Sequence, residues 1–76
     1  PAIVDVVRSG GRFVYRVGTR ELTSPQELTR LLQQFPNKLD GAYVRVSDEV
    51  PFRMAATAVQ ACKDARFLNV AYVPSE

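Results

Sequence analysis

Apolar and polar residues alternate along the first part of the chain with the period of two that a pleated strand imposes. Ala2–Val7, AIVDVV, is rich in β-branched residues, carries one acid, and reads as a strand. Ser9, Gly10 and Gly11 follow as a turn suited to a hairpin. In Arg12–Val17, RFVYRV, the alternation sets Phe13, Tyr15 and Val17 on one face and Arg12, Val14 and Arg16 on the other. Gly18-Thr19 marks a second turn. Arg20–Leu22 is then a short third strand or a lead-in.

The period then changes. Ser24 is a good N-cap, Pro25 suits the first helical position, and Glu27 stands three residues on, as a capping box requires. Leu28, Leu31, Leu32 and Phe35 form one apolar stripe, and Pro36-Asn37 ends the helix. Gly41 opens another strand, Ala42–Val46, with Ala42, Val44 and Val46 on one face and Tyr43 and Arg45 on the other. Phe52–Ala65 returns to helical spacing. Phe52, Ala55, Ala56, Val59 and Cys62 line up, flanked by Met54 and Ala58, with Arg53, Gln60, Lys63 and Asp64 on the wet side. Asn69–Val73, NVAYV, is the last strand, stopped by Pro74.

The order β-β-(β)-α-β-α-β implies an α+β fold. The expected architecture is a two-layer sandwich: a small mixed sheet with both helices on one face. The segment from Ala42 to Val73 is a compact β-α-β unit with parallel strands. The other face of the sheet stays open and carries Arg12, Val14, Arg16, Tyr43 and Arg45.

Length turns this into a question about partners. Seventy-six residues make one domain, small enough that its own core leaves it marginal. One cysteine and no histidine rule out an internal disulfide and argue against a zinc site, so self-association is the remaining support. Ten basic residues are scattered among eight acidic ones, a net charge of +2 with no dense basic run. No run approaches the roughly 18 apolar residues of a membrane span. The chain opens at Pro1 without methionine, as expected of a trimmed chain or a piece of a longer one.

Catalytic groups are scarce. Asp48 and Glu49, in VRVSDEVPF, have no histidine, cysteine or lysine beside them. They read as solvation of a strand-to-helix turn and as complements to a helix dipole, with Phe52 plugging the apolar layer. Cys62 lies on an apolar stripe without a base and reads as a small buried hydrophobe. Gly10 and Gly11 precede a strand, whereas phosphate cradles precede a helix. No catalytic residue, cofactor or metal is expected. The open face of Arg12, Arg16, Tyr43 and Arg45 offers groups that stack on single-stranded nucleic acid, but the chain has no RNP-like aromatic motif and no GXXG loop, and the face reads first as exposed Arg and Tyr of the kind common at protein interfaces. The last strand, Asn69, Val70, Ala71, Tyr72 and Val73, is an edge candidate for strand addition; the opposing reading is an edge blunted by Pro74 and Glu76.

Taken in order, Tyr43-Val44-Arg45-Val46, the acidic turn Ser47-Asp48-Glu49, Val50-Pro51-Phe52 opening a helix, then Ala61 to Phe67 and Asn69 to Val73 resemble the periplasmic domain of the ExbD/TolR family. The likeness extends to Gly18 and to Leu22, Glu27, Leu28 and Leu31, and so covers nearly the whole chain. Two positions depart from the pattern: Arg66 replaces a helix-ending glycine, and Glu49 replaces a lysine. The resemblance implies a motor accessory rather than an enzyme. It implies an N-terminal helix in the inner membrane, upstream of Pro1, and a multi-span ExbB/TolQ-like partner bound through that helix. It further implies a periplasmic domain that forms a homodimer and contacts a TonB-like protein or peptidoglycan. The homodimer is expected to pair through Asn69–Val73, with Arg12, Arg16, Tyr43 and Arg45 as a further contact face. The alternative is a small cytosolic nucleic-acid-binding module using the open face.

Overall fold

A computed structural model describes residues 1–74. Its elements are β1 (Ala2–Ser9), β2 (Arg12–Val17), β3 (Arg20–Leu22), α1 (Pro25–Gln33), β4 (Ala42–Val46), α2 (Phe52–Asp64) and β5 (Val70–Pro74). The fold is α+β, as the sequence leads one to expect. The five strands form one mixed sheet in the order β3-β2-β1-β4-β5, with both helices packed on one face. β1, β4 and β5 run parallel, while β2 and β3 are antiparallel to their neighbours.

The core lies between the helices and the inward face of the sheet. Val4, Val6, Val44, Leu28, Leu32, Ala58 and Cys62 are fully buried there. Tyr15, Val17 and Leu22 extend it to the β3 edge, where α1 lies. These strands alternate as the sequence suggests. Val14 is the exception: it belongs to the uncovered face yet is only 3% exposed. Its cross-strand partner is Val7, and Arg12 and Arg16 lie two residues to either side on the same face.

Several boundaries shift. β1 continues to Ser9 and pairs with Arg12, which makes the first hairpin tight. α1 ends at Gln33, before the last residue of the expected stripe. Phe35 lies outside the helix because it precedes a proline. Lys38 Nζ donates to the carbonyls of Gln33 and Phe35 at 3.0 and 2.7 Å, capping the end. Phe35 still reaches the core through an edge-on contact with Phe67. At the other end of α1 the Ser24 hydroxyl accepts the Glu27 amide at 3.3 Å but donates to Gln26, so the cap forms in a variant of the expected box.

The last strand is displaced by one residue, to Val70–Pro74. Asn69 falls just before it, and its carbonyl accepts the Ala42 amide at 2.8 Å. Pro74 is inside the strand rather than beyond it, opposite Val46. Glu76 lies outside the described residues.

Candidate functional site

α2 carries two apolar stripes, where its spacing suggests one. Ala55, Ala58, Ala61 and Cys62 point into the core and are buried. Small side chains bring this helix close to the sheet. Phe52, Ala56 and Val59 form the second stripe, on the flank toward β5; Phe52 and Ala56 are exposed, and Val59 is half-buried against the margin of the core. Phe52 is 73% exposed. It does not plug the apolar layer; Val50, 8% exposed, does so. Phe52 instead meets Tyr72 of β5 edge-on, with ring centroids 6.4 Å apart. Between them lies a groove of about 360 Å³, walled by Phe52, Ala56, Val59 and Lys63 on α2 and by Tyr72 on β5.

The groove runs beside a free sheet edge. The hydrogen bond from the Ala42 amide to the Asn69 carbonyl fixes the parity of the β4–β5 ladder. Asn69, Ala71 and Val73 turn their backbone groups toward β4. Val70, Tyr72 and Pro74 turn theirs outward, away from the sheet. The edge therefore offers the amides and carbonyls of Val70 and Tyr72, and beyond them only a carbonyl, since Pro74 has no N–H. Pro74 costs the domain no internal hydrogen bond.

On the open face, cross-strand neighbours line up as a single row, Glu21, Arg16, Asp5, Arg45 and Val73, one residue from each strand. Charge alternates along it and gives way to an apolar residue at the edge. Arg16 donates to Glu21 at 2.7 Å, and Ser9 also donates to that carboxylate. Arg45 holds Asp5 through two bonds, at 2.6 and 2.8 Å. The Arg16 and Ser9 hydrogen bonds hold the Glu21 carboxyl below its usual range, and the Asp5 hydrogen bond raises Arg45. Val14 and Val7 line one side of the row; Ile3, Tyr43 and Ala71 line the other.

The residues singled out in the sequence thus fall into two groups. Arg12, Arg16, Tyr43 and Arg45 share the open face with Ala71 and Val73. Val70 and Tyr72 have side chains on the helix side, and Asn69 lies at the head of the edge. Arg16 and Arg45 are already neutralised, which leaves Arg12 as the one of the three without an ion pair among the described residues. Asp5 is the member of the face that strand periodicity alone does not bring to notice.

Asp48 and Glu49 separate as well. Glu49 pairs with Arg8 at 3.0 Å, with both side chains about half exposed, and Arg8 also lies over the Phe13 ring. This ties the end of β1 to the turn before α2. Asp48 is exposed. Among the described residues no three metal-ligating side chains gather, and no helix is long and apolar enough to cross a membrane.

Fold and site together define a small α+β domain whose mixed sheet ends in an open edge beside an apolar groove. Comparison with protein-family profiles returns no match, and comparison with curated protein sequences returns none either.

Proposed function

We propose that this chain is the periplasmic domain of an inner-membrane complex driven by the proton-motive force, of the ExbD/TolR kind. It works as a homodimer and passes force to a TonB-like protein or to peptidoglycan. In this reading the membrane helix and its proton-handling acid lie upstream of Pro1, and a multi-span ExbB/TolQ-like protein holds that helix. The domain itself contributes binding surface, not chemistry. The residues quoted above for the resemblance support the family; the observation that carries the mode of action is the β5 edge. Two outward amides and three outward carbonyls stand beside an apolar groove, which is what strand addition requires.

Two experiments test the reading. The full-length protein, tagged at its C-terminus, is expected in the inner-membrane fraction, with the tag open to protease only after the outer membrane is breached. A soluble cytosolic protein would overturn the assignment. Light scattering over a concentration series is expected to show a dimer of the 76-residue chain at high concentration. Tyr72→Pro removes an outward donor and leaves the β4–β5 ladder whole, so it is expected to stay monomeric. A wild-type chain that is monomeric throughout would remove the pairing.

A further inference from the structure

We infer that the end of the fold where β1 begins is a docking tip for an anionic phospholipid surface, with Leu39 and Leu68 entering the headgroup layer and Arg66 beside them against the phosphates. This rests on the reading above, in which a membrane helix joins the chain ahead of Pro1, and adds how the domain sits on that membrane.

Parallel pairing of β1, β4 and β5 gathers the start of β1, the loop before β4 and the loop before β5 at one end. The Gly18-Thr19 turn joins them there, because β2 and β3 run antiparallel. The Ala2 amide donates to the Gly41 carbonyl at 3.1 Å, so a chain arriving from a membrane helix enters the domain at this end. Leu39 and Leu68 are 74% and 66% exposed there, whereas the neighbouring Phe67 is buried. The two leucines stand side by side in ordered backbone. The amides of Leu68 and Gly41 both reach the Lys38 carbonyl, at 3.2 and 3.3 Å. The Asn37 side chain accepts the Leu39 amide at 3.0 Å and donates to Asp40 at 3.1 Å. Phe67 anchors the second loop edge-on against Phe35. Both leucines are thus held in water by loops whose backbone is already fixed.

Charge gathers at the same end. Of the ten basic residues it takes Arg20, Arg30, Lys38, Lys63 and Arg66, and of the eight acids only Asp40 and Asp64. That is an excess of three positive charges in a chain whose net charge is +2, so the rest of the molecule has no positive excess. Glu27 lines a small pocket with Arg20 and Arg30 and moderates those two. Lys38 Nζ is committed to the end of α1. Arg66 is exposed and lies two residues from Leu68. Exposed apolar side chains ringed by cations suit the boundary of an anionic bilayer: the leucines leave water among the acyl ends of the headgroups, and each cation near the surface adds about fivefold in affinity.

Co-sedimentation of the 76-residue chain with vesicles tests this, carried to high lipid concentration because the chain has no anchor of its own. Binding is expected to vesicles of phosphatidylglycerol mixed with phosphatidylethanolamine, to weaken with salt, and to be absent from phosphatidylcholine alone. Leu39→Ser combined with Leu68→Ser is expected to weaken it at least about tenfold. Both side chains are exposed, so the melting temperature should stay unchanged. Arg66→Gly, at a left-handed position that glycine suits, is expected to weaken it about fivefold while the fold is kept. An environment-sensitive dye on Leu68→Cys should shift to the blue on the anionic vesicles, and the same dye on Asp48→Cys, at the opposite end, should not; Cys62 is buried and stays in place. No binding to any vesicle, binding indifferent to lipid charge, full binding by the double serine variant, or a shift at Asp48→Cys equal to that at Leu68→Cys would each overturn the docking tip. Such a failure with the full-length protein found in the inner membrane removes this inference alone, whereas a soluble cytosolic protein removes the functional reading on which it rests.

Discussion

Asp5 and Arg45 stand forty positions apart in the chain and directly opposite each other in adjoining parallel strands, joined by two charge-assisted hydrogen bonds of 2.6 and 2.8 Å. The pair lies at the centre of the alternating row that crosses the open face. It turns a surface that looks basic in sequence into one that is balanced in space. Single-stranded nucleic acid needs uncommitted cations, and here two of the three face arginines already have carboxylates.

The row makes a specific prediction about charge order. Arg45→Asp sets two carboxylates opposite each other and is expected to lower the melting temperature. Adding Asp5→Arg restores the Asp–Arg pair but places the new arginine beside Arg16, its β2 neighbour. Recovery should therefore be partial, and a double-mutant cycle should give a clear coupling between the two positions. Full additivity of the two changes would show that the row has no collective role.

Arg66 holds φ at 74°, the left-handed region where a side chain is strained. It is forced there by the end of α2. Phe67 donates to the Cys62 carbonyl at 3.2 Å and Arg66 to the Lys63 carbonyl at 2.9 Å, the double bond of a Schellman cap. Glycine serves that position without strain. Arg66→Gly is expected to stabilise the domain by about 1 kcal/mol, a rise of roughly 4–8 °C in melting temperature for a chain this size. Thermal unfolding followed by circular dichroism decides it; an unchanged or lower midpoint would mean that the arginine side chain makes a compensating contact.

Two glycines with similar backbone angles should respond very differently to alanine. Gly10, at φ 58°, has open space where a Cβ would stand. Gly41, at φ 81°, would put its Cβ 2.9 Å from the Asn69 carbonyl oxygen, the acceptor that aligns β4 with β5. Gly10→Ala is expected to cost about 1 kcal/mol from the backbone alone. Gly41→Ala adds a clash with backbone that cannot move away, and a loss of about 3 kcal/mol is expected. Chemical denaturation of both variants measures the difference; equal losses would show that the β4–β5 start yields easily.

Strands such as Arg12–Val17 and Ala42–Val46 were legible because one face of each is buried, which writes the burial directly into a period of two. Period does not say which strands adjoin. That β1 lies between β2 and β4 depends on long-range pairing, so Asp5 could not be matched to Arg45 from spacing. The double stripe on α2 was hidden for a related reason. Phe52, Ala55, Ala56, Val59 and Cys62 are all apolar, and periodicity cannot separate residues that meet the core from residues that overhang the last strand. The edge was legible as a short apolar terminal strand; its hydrogen-bonding parity, which decides what Pro74 does, was not.

Burial of Cys62 has a pH-dependent consequence. The side chain is fully buried on the inner stripe of α2, and burial pushes its thiol up to about 11 from an ordinary value of 9.0. Only the thiolate reacts with disulfide reagents, so labelling at pH 8 should be slow and should follow transient opening of the domain. The effect on stability has a definite sign. Between pH 9.0 and about 11 the unfolded chain has released this proton and the folded chain retains it. Stability from this group is therefore complete below pH 9.0 and declines as pH rises through that window. Tyr15, also raised by burial, pulls in the same direction, so the comparison must be made against Cys62→Ala, which keeps Tyr15. The variant is expected to be less stable at neutral pH from the lost packing, with a shallower decline above pH 9. Parallel curves for the two proteins, or prompt labelling of the folded wild type at pH 8, would show that the thiol is not sealed in the core.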